Sequence, residues 1–136
     1  MGFRTDYGDA SAYRAIAVET SIPSADPHAL ILLLFEGAEA AIHQAKGRML
    51  EKDIPAKGKA LSQAIQIVTN GLRASLDVEA GGEMAERLAA LYDYIAARLL
   101  WGNLKNDQAA LDECLHLLGE IHSAWAAIAP GKPGSK

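Results

Sequence analysis

Glu113 and His116 are the residues best spaced for chemistry, because they stand three positions apart in a helix-forming stretch. Di-iron helical bundles hold metal with Glu-x-x-His pairs on two helices and single glutamates on two others, all pointing inward. This chain has one such spacing. At 100° per residue, Glu113 lies about 200° and His116 about 140° from the apolar stripe that contains Leu111. We therefore expect both side chains to face water, and we expect no metal site.

The remaining candidates for catalysis are similarly isolated. Glu39 and His43 are four residues apart, but no matching element accompanies them. His28 is expected on the surface of the first turn of a helix, and His122 at the flank of an apolar stripe. No Ser/His/Asp grouping, phosphate-binding loop or dinucleotide fingerprint stands out. The sequence thus predicts neither an enzyme nor a cofactor.

The composition indicates a helical protein. Half of the 136 residues are hydrophobic, aromatic residues make up 6%, and the net charge is −4. Alanine and leucine favour helix over sheet. No basic cluster interleaves with aromatic residues, so nucleic-acid binding is not expected. Cys114 is the single cysteine, which excludes an intrachain disulfide. No signal peptide or membrane-spanning run is apparent, which predicts a cytoplasmic protein without membrane insertion.

Periodicity and breaks predict four long helices. Asp26 and Pro27 are a strong start signal, and Gly81-Gly82 and Asn106-Asp107 are clear breaks. Short connections make sequential helices antiparallel neighbours. We therefore predict an all-α fold, an antiparallel up-down four-helix bundle, with helices over residues 27–51, 56–77, 83–104 and 108–128.

The bundle is predicted to occupy residues 26–128, between a flexible segment at 1–25 and a disordered tail at 129–136. Within the first segment, residues 13–20 can form a short helix with Tyr13 and Ile16 on one side. Pro23 and Pro27 separate this helix from the bundle. A detachable flap over an apolar groove and an ordinary cap on the core are both compatible with this pattern.

The apolar run Leu30–Phe35 exceeds what one buried stripe requires. Six consecutive apolar residues surround the whole helix at 100° per residue. A second apolar face needs a cover, either from the chain itself or from another protein. Gly37 and Gly71 also lie on apolar faces, where they allow either tight packing within the bundle or the floor of a groove.

Several motifs, in this order, carry a family resemblance that runs from about Tyr13 to Ile128. They are Tyr13 with Val18-Glu19-Thr20, Pro27-His28-Ala29-Leu30, Leu34-Phe35-Glu36-Gly37-Ala38, Ala56-Lys57-Gly58, Asn70-Gly71-Leu72-Arg73-Ala74-Ser75-Leu76-Asp77, Gly81-Gly82-Glu83, Leu91-Tyr92-Asp93-Tyr94 and Asn106-Asp107. The chain resembles the flagellin-specific export chaperones of the FliS family.

The resemblance implies a non-enzymatic cytoplasmic chaperone without a cofactor. It would bind the disordered C-terminal segment of flagellin in apolar grooves, prevent premature polymerisation and deliver the client to the flagellar type III export gate. Other flagellar regulators and a weak homodimer are further candidate partners. The N-terminal segment would cover a groove in the free protein. We expect partner contacts from the following residues: Tyr13, Ile16, Leu30, Leu34, Gly37, Ile65, Val68, Leu72 and Tyr92.

Two other readings of the residues stay open. A metal-binding or redox helical bundle would place Glu and His side chains inward and bind metal. A structural bundle would cover its surplus apolar face by self-association. The sequence does not decide which apolar stripe faces the core and which faces a partner.

Overall fold

The computed structural model describes residues 26–128, which contain four helices and no strand. Helix α1 is Pro27–Leu50; α2 is α-helical over Ile54–Gln66 and π-helical over Ile67–Arg73; α3 is Val78–Lys105; α4 is Gln108–Ala126. The all-α prediction is confirmed for this part of the chain. The predicted segment 1–25, with its flap at Tyr13 and Ile16, and the predicted tail 129–136 lie outside the described residues. No helix within 26–128 is long and apolar enough to cross a membrane.

Each of the four helices begins after an aspartate whose side chain accepts a hydrogen bond from the amide three residues later. The caps are Asp26, Asp53, Asp77 and Asp107, and the donors are the amides of Ala29, Ala56, Ala80 and Ala110 at 3.0–3.3 Å. Such a cap satisfies one of the unpaired amides of the first turn and contributes about 1 kcal/mol. A repeated Asp-x-x-Ala pattern therefore marks every helix start.

Helix α2 departs from its prediction in its bounds and its winding. It begins at Ile54 rather than Ala56, because Asp53 is the cap, and it ends at Arg73 rather than Asp77. Its last seven residues are π-helical. A Cβ placed on Gly71 in this segment would lie 3.1 Å from Cδ2 of Leu34. Tight packing of α2 on α1 is thus the interpretation of Gly71 that the contacts favour.

Helix α3 starts earlier than predicted. Asp77 caps a first turn at Val78, so residues 78–82 are not a plain linker before Glu83. The predicted break is nevertheless present at Gly82, whose φ of 60° and ψ of −141° interrupt the helix. Only glycine adopts that conformation without strain.

All four helices contribute to one core. Helix α1 packs on both parts of α2 and on α4, and α3 packs on α2 and α4. The largest fully buried side chains are Phe35, Leu34, Ile42, Leu61, Leu72, Ile95, Leu99, Leu111, Leu118, Val68 and Cys114. These side chains come from every helix, so no helix is a detachable addition to the described part.

Polar contacts join the helix ends. At the start of α1, the indole nitrogen of Trp125 donates to the carbonyl oxygen of His28 at 3.2 Å, which places the end of α4 there. At the start of α2, the buried ammonium of Lys57 donates to the carbonyl oxygen of Asn103 at 2.9 Å and to the side chain of Asn106. Asn106 has a left-handed conformation, with φ of 51°, and terminates α3. Lys57 thus satisfies a carbonyl group that the end of α3 would leave unpaired.

Candidate partner-binding surface

Helix α3 has two apolar faces, and only one of them is buried. The buried face consists of Ala85, Ala89, Tyr92, Ile95, Leu99 and Gly102. The opposite face is exposed and repeats at alternating steps of four and three residues: Ala90, Tyr94, Ala97, Trp101 and Leu104. This exposed set is called the α3 seam below. A 4-3 repeat of apolar residues is the pattern by which one helix accepts another along its length.

The α3 seam has substantial apolar area in contact with solvent. Tyr94 is 44% exposed, Trp101 45% and Leu104 70%, and Leu100 beside them is half exposed. Ala90 and Ala97 separate the large side chains, so knobs alternate with shallow positions. Tyrosine and tryptophan are enriched among the residues that dominate binding energy at protein interfaces. The seam therefore has the composition of a binding surface.

Hydrogen bonds hold the two aromatic side chains of the α3 seam in place. The hydroxyl of Tyr94 donates to Oε2 of Glu113 at 2.6 Å, and Nε of Arg98 donates to Oε1 of the same carboxylate at 2.9 Å. The indole nitrogen of Trp101 donates to Asp107 at 3.2 Å. Fixing these rotamers before binding reduces the entropy that a complex would lose.

Polar pairs border the α3 seam on both sides. On one side Nε of Arg73, from α2, bonds to Asp93 at 2.6 Å. On the other side Arg98 and Glu113 join α3 to α4. The hydrogen bond from Tyr94 and then that from Arg98 hold the pKa of the Glu113 carboxyl below its usual value. An apolar centre with a charged rim is the usual anatomy of a protein interface.

The residues predicted to contact a partner lie mostly inside the bundle. Leu34, Val68, Leu72 and Tyr92 are buried in the core, and Leu30 is buried beside it. Burial also raises the pKa of Tyr92. Gly37 and Ile65 are half-buried, and Tyr13 and Ile16 lie outside the described residues. A partner role for these residues stays a prediction, because the free bundle already uses five of them in its own packing.

The run Leu30–Phe35 is covered to a large extent. Leu30, Leu34 and Phe35 are buried, and Ile31, Leu32 and Leu33 are intermediate. The surplus apolar surface that the sequence predicts on the first helix is therefore largely covered there. The exposed apolar face lies on α3 instead. Met84 of α3 is also exposed, at 76%.

The seam could have been read from the sequence by its 4-3 spacing. Hydrophobic periodicity alone does not separate Trp101 and Leu100 from the buried stripe of the same helix, because both faces of α3 are apolar. Alanines at positions 90 and 97 also disguise the pattern, since alanine is common on every face of a helix.

Two of the histidines, His28 and His122, form contacts between helices. His122 Nδ1 lies 3.1 Å from a carboxylate oxygen of Glu39, and its ring stacks on Phe35 at 5.3 Å between centroids. Glu39 thus pairs across helices rather than with His43. Glu113, expected to face water, is partly buried in its contacts with Tyr94 and Arg98. Among residues 26–128, no three His, Cys, Asp or Glu side chains are grouped closely enough to hold a metal ion.

A second surface feature is a shallow depression on α4. It is lined by Leu115, His116, Gly119, Glu120 and Ser123, and it is open to solvent. All five residues belong to one helix, and His116 pairs with Glu120 across it at 3.3 Å. The depression therefore lacks the opposing wall that an enclosed ligand site needs.

Comparison with known proteins identifies the family. The family model described as flagellar protein FliS matches residues 9–132. The flagellar secretion chaperone FliS of Salmonella typhimurium is 49% identical over 119 residues, covering 88% of each chain. The flagellar secretion chaperone FliSB of Pseudomonas aeruginosa is 43% identical over 116 residues, covering 85% of this chain and 91% of the relative. FliS of Escherichia coli is 42% identical over 114 residues, covering 84% of each. The chain described here belongs to the FliS family of flagellar secretion chaperones.

Proposed function

We propose that this chain is a cytoplasmic chaperone that binds the disordered C-terminal segment of flagellin, prevents its premature polymerisation and delivers it to the flagellar type III export apparatus. Membership of a family of flagellar secretion chaperones supports the general role. The structural observation on which the binding proposal depends is the α3 seam, an exposed apolar face along residues 90–104 of that helix.

The α3 seam suits a client that folds when it binds. An amphipathic helix laid into an apolar groove is an established mode of peptide recognition. A disordered client loses conformational entropy on binding, so it needs a large apolar contact to offset that loss. The seam spans fifteen residues of α3 between Ala90 and Leu104, or roughly 21 Å at 1.5 Å per residue. That length accommodates about four turns of a client helix.

In this proposal, the buried residues that were predicted as partner contacts contribute less to client binding than the α3 seam does. A partner would reach Leu34, Val68, Leu72 or Tyr92 only after a helix had moved, whereas it can reach Tyr94, Trp101 and Leu104 directly. Leu30, Gly37 and Ile65 lie nearer to the surface and are proposed as contacts at the edge of a second groove. Tyr13 and Ile16 are proposed as a flap that competes with the client.

The proposed architecture is an antiparallel up-down bundle. Two contacts support it: the start of α1 meets the end of α4 through His28 and Trp125, and the start of α2 meets the end of α3 through Lys57 and Asn103. Short connections between consecutive helices favour the same arrangement. In this arrangement the client would lie along α3.

Co-purification with the C-terminal segment of the same organism's flagellin tests the proposal. We expect a 1:1 complex by size-exclusion chromatography with light scattering, a gain of helical circular dichroism on mixing, and suppression of flagellin polymerisation at equimolar chaperone. A flagellin truncated before its C-terminal segment should not bind. Equal capture of that truncated flagellin, or polymerisation unaffected by the chaperone, would refute the proposal.

The same samples address the two alternatives. A self-associating structural bundle predicts a mass that rises with concentration in the absence of client. A metal-binding bundle predicts stoichiometric metal in elemental analysis of the purified protein. Docking of the loaded chaperone to the export gate and binding of other flagellar regulators are proposed as later steps, each testable by adding the purified component to the preformed complex.

A further inference from the structure

Charge is unevenly distributed over the described part of the chain. Residues 46–59 and 103–112 contain six basic and four acidic side chains. The rest of residues 26–128 contains three basic and ten acidic side chains. The first group is called the basic end below. It comprises the last turn of α1, the first turns of α2, the end of α3 and the start of α4. Lys57 joins α2 to the end of α3 through Asn103 and Asn106.

The three basic side chains elsewhere in residues 26–128 are neutralised by neighbours. Arg73, Arg87 and Arg98 each form an ion pair with a carboxylate. At the basic end, Lys46 pairs with Asp112 and Arg48 with Glu51. Four lysines there have no carboxylate partner among the described residues: Lys52, Lys57, Lys59 and Lys105. Of these, Lys57 is buried and the other three are exposed. Within residues 26–128, the positive charge that no carboxylate neutralises is therefore concentrated at one end.

Exposed apolar side chains flank two of these lysines, Lys52 and Lys105, in the sequence. Leu50 is 70% exposed and Ile54 is 54% exposed, on either side of the turn that contains Lys52. Leu104, at the end of α3, is next to Lys105. Exposed apolar residues beside charge that is predominantly of one sign are typical of a surface that binds a partner of opposite charge.

The chain's own termini complement this end poorly. Residues 26 and 128 lie at the opposite end of the molecule, where His28 contacts Trp125. Helix α1 has 24 residues, so the basic end is roughly 36 Å away at 1.5 Å per residue. Residues 129–136 contain two basic and no acidic side chains, so they do not complement a basic surface. Residues 1–25 contain three acidic and two basic side chains, which gives them little charge to offer.

We propose that the basic end is a second docking surface, separate from the client site, that binds an acidic amphipathic segment of a partner protein. Leu50 and Ile54 receive its apolar face, and Lys52, Lys59 and Lys105 pair with its carboxylates. Three exposed lysines are fewer than the four to eight that polybasic membrane sites use. The surface also includes Glu51, Asp53 and Asp107, which would repel an anionic bilayer. A protein segment with discrete carboxylates fits this mixed pattern better than a lipid surface does.

A second docking surface gives the chaperone a way to hold its client and a downstream component at the same time. The α3 seam lies along the side of one helix, whereas the basic end consists of the termini of several helices. Leu104 belongs to the α3 seam and is not part of the proposed second surface. Loss of flagellin binding through the seam would leave this proposal intact, and failure of this proposal would leave flagellin binding intact.

Peptide titration of the ¹⁵N-labelled full chain tests the proposal. The probe is a 14-residue amphipathic peptide with leucine on one face and glutamate and alanine on the other. The control peptide has lysine in place of glutamate. We expect the acidic peptide to shift amide signals of residues 46–59 and 103–112, and to bind at least about tenfold more tightly than the lysine peptide. Raising the salt concentration should weaken binding of the acidic peptide, because the lysine charges that attract it are exposed to solvent.

Matched variants distinguish peptide binding at the basic end from a nonspecific effect of the protein's charge. We expect the double variant Lys52→Glu/Lys59→Glu to weaken binding of the acidic peptide at least about tenfold. Leu50→Ser should weaken this binding severalfold. Arg87→Glu is the control, because Arg87 is 77% exposed and belongs to the acidic remainder of the bundle. It should leave the affinity unchanged. Circular dichroism verifies that each variant is folded.

Several results would overturn the proposal. These are equal binding of the two peptides, signal shifts centred on the α3 seam, and equal losses in Arg87→Glu and the double variant. Co-sedimentation with phosphatidylglycerol vesicles, abolished by the double variant and without any peptide binding, would assign this end to a membrane instead. Self-association through the basic end would appear as concentration-dependent shifts at the same residues before peptide is added, and it would replace the proposed partner with a second copy.

Discussion

His28 and Trp125 are joined by two hydrogen bonds that run in opposite directions. The indole nitrogen of Trp125 donates to the carbonyl oxygen of His28 at 3.2 Å, and Nε2 of His28 donates to the carbonyl oxygen of Trp125 at 3.0 Å. The rings stack with centroids 4.9 Å apart. The second bond requires a proton on Nε2 of His28. This contact fastens the start of α1 to the end of α4, next to the points where both terminal segments join the bundle.

Removing one donor should measure the value of this contact. We expect Trp125→Phe to lower the free energy of unfolding by about 1 kcal/mol, because the ring stays stacked while one partly buried hydrogen bond is lost. The measurement is urea denaturation followed by circular dichroism. The control His116→Ala removes an exposed histidine of the same helix and should change stability by less than about 0.5 kcal/mol. A neutral Trp125→Phe variant would show that the contact does not stabilise the fold.

The effect of a glycine-to-alanine substitution on stability should depend on the space around that glycine. A Cβ on Gly102 would lie 2.8 Å from Cδ2 of Leu111 and 3.3 Å from the carbonyl oxygen of Asp107, whereas a Cβ on Gly47 would meet nothing within 4 Å. We expect Gly102→Ala to destabilise the protein by about 1–3 kcal/mol through overpacking. Gly47→Ala should stabilise it by about 0.5–1 kcal/mol, because alanine has the higher helix propensity. Thermal and urea unfolding of both variants measure the sign of each stability change. Equal changes in the two variants would contradict the packing around Gly102.

The pH dependence of stability should contain a contribution from Glu113. Its hydrogen bonds from Tyr94 and Arg98 depress the pKa in the folded state. A depressed folded pKa gives a stabilisation that is complete above the unfolded value, about 4.3, and is lost as the pH falls through the folded value. We therefore expect wild type to be more stable than Glu113→Gln at pH 7, and this difference to shrink below pH 4. Urea titrations at both pH values measure it.

A second variant serves as the control for this pH effect. Glu86 is exposed on α3 and has no ion pair among the described residues. Glu86→Gln should therefore differ little from wild type at either pH. A Glu113→Gln difference that is constant between pH 7 and pH 3 would mean that the three-residue contact is not formed in solution.

The single thiol should report opening of the core. Cys114 is fully buried, and burial raises its pKa to about 12. We expect a thiol reagent at pH 8 to label the native protein at least about 1,000-fold more slowly than the urea-unfolded protein, because exposure requires opening of the bundle. An added cysteine at the exposed position in Ala40→Cys provides the fast reference within the same molecule. Equal rates for the two thiols would contradict burial of Cys114.

Local chemistry made the helix starts predictable, and tertiary packing made other features unpredictable. Asp26 followed by Pro27 signals a helix start in any protein, because the cap bond closes within three residues. Lys57 gave no signal of burial, since a lysine in an amphipathic stretch is expected in water. Its partners Asn103 and Asn106 are more than forty residues away. The π-helical winding of residues 67–73 similarly has no marker in the sequence.

The candidate site was the hardest part to predict, for a physical reason. Val68 and Leu72 were assigned to a groove by their apolar character, yet they are fully buried within the bundle. Hydrophobic periodicity reports that a face leaves water, and it does not report whether the chain or a partner covers it. A Leu34→Asp or Val68→Asp variant would therefore test folding rather than client binding. Exposed positions of the α3 seam provide the discriminating experiment.

Isothermal titration calorimetry with the C-terminal segment of flagellin tests the central claim most directly, using Ala97→Glu and Ala40→Glu. Both variants place the same charged side chain on an exposed alanine of a long helix, but only Ala97 lies in the α3 seam. The account predicts that Ala97→Glu weakens binding at least about tenfold, a loss of about 1.4 kcal/mol, while Ala40→Glu binds like wild type. Wild-type affinity in a folded Ala97→Glu variant would contradict the assignment of the seam as the client site.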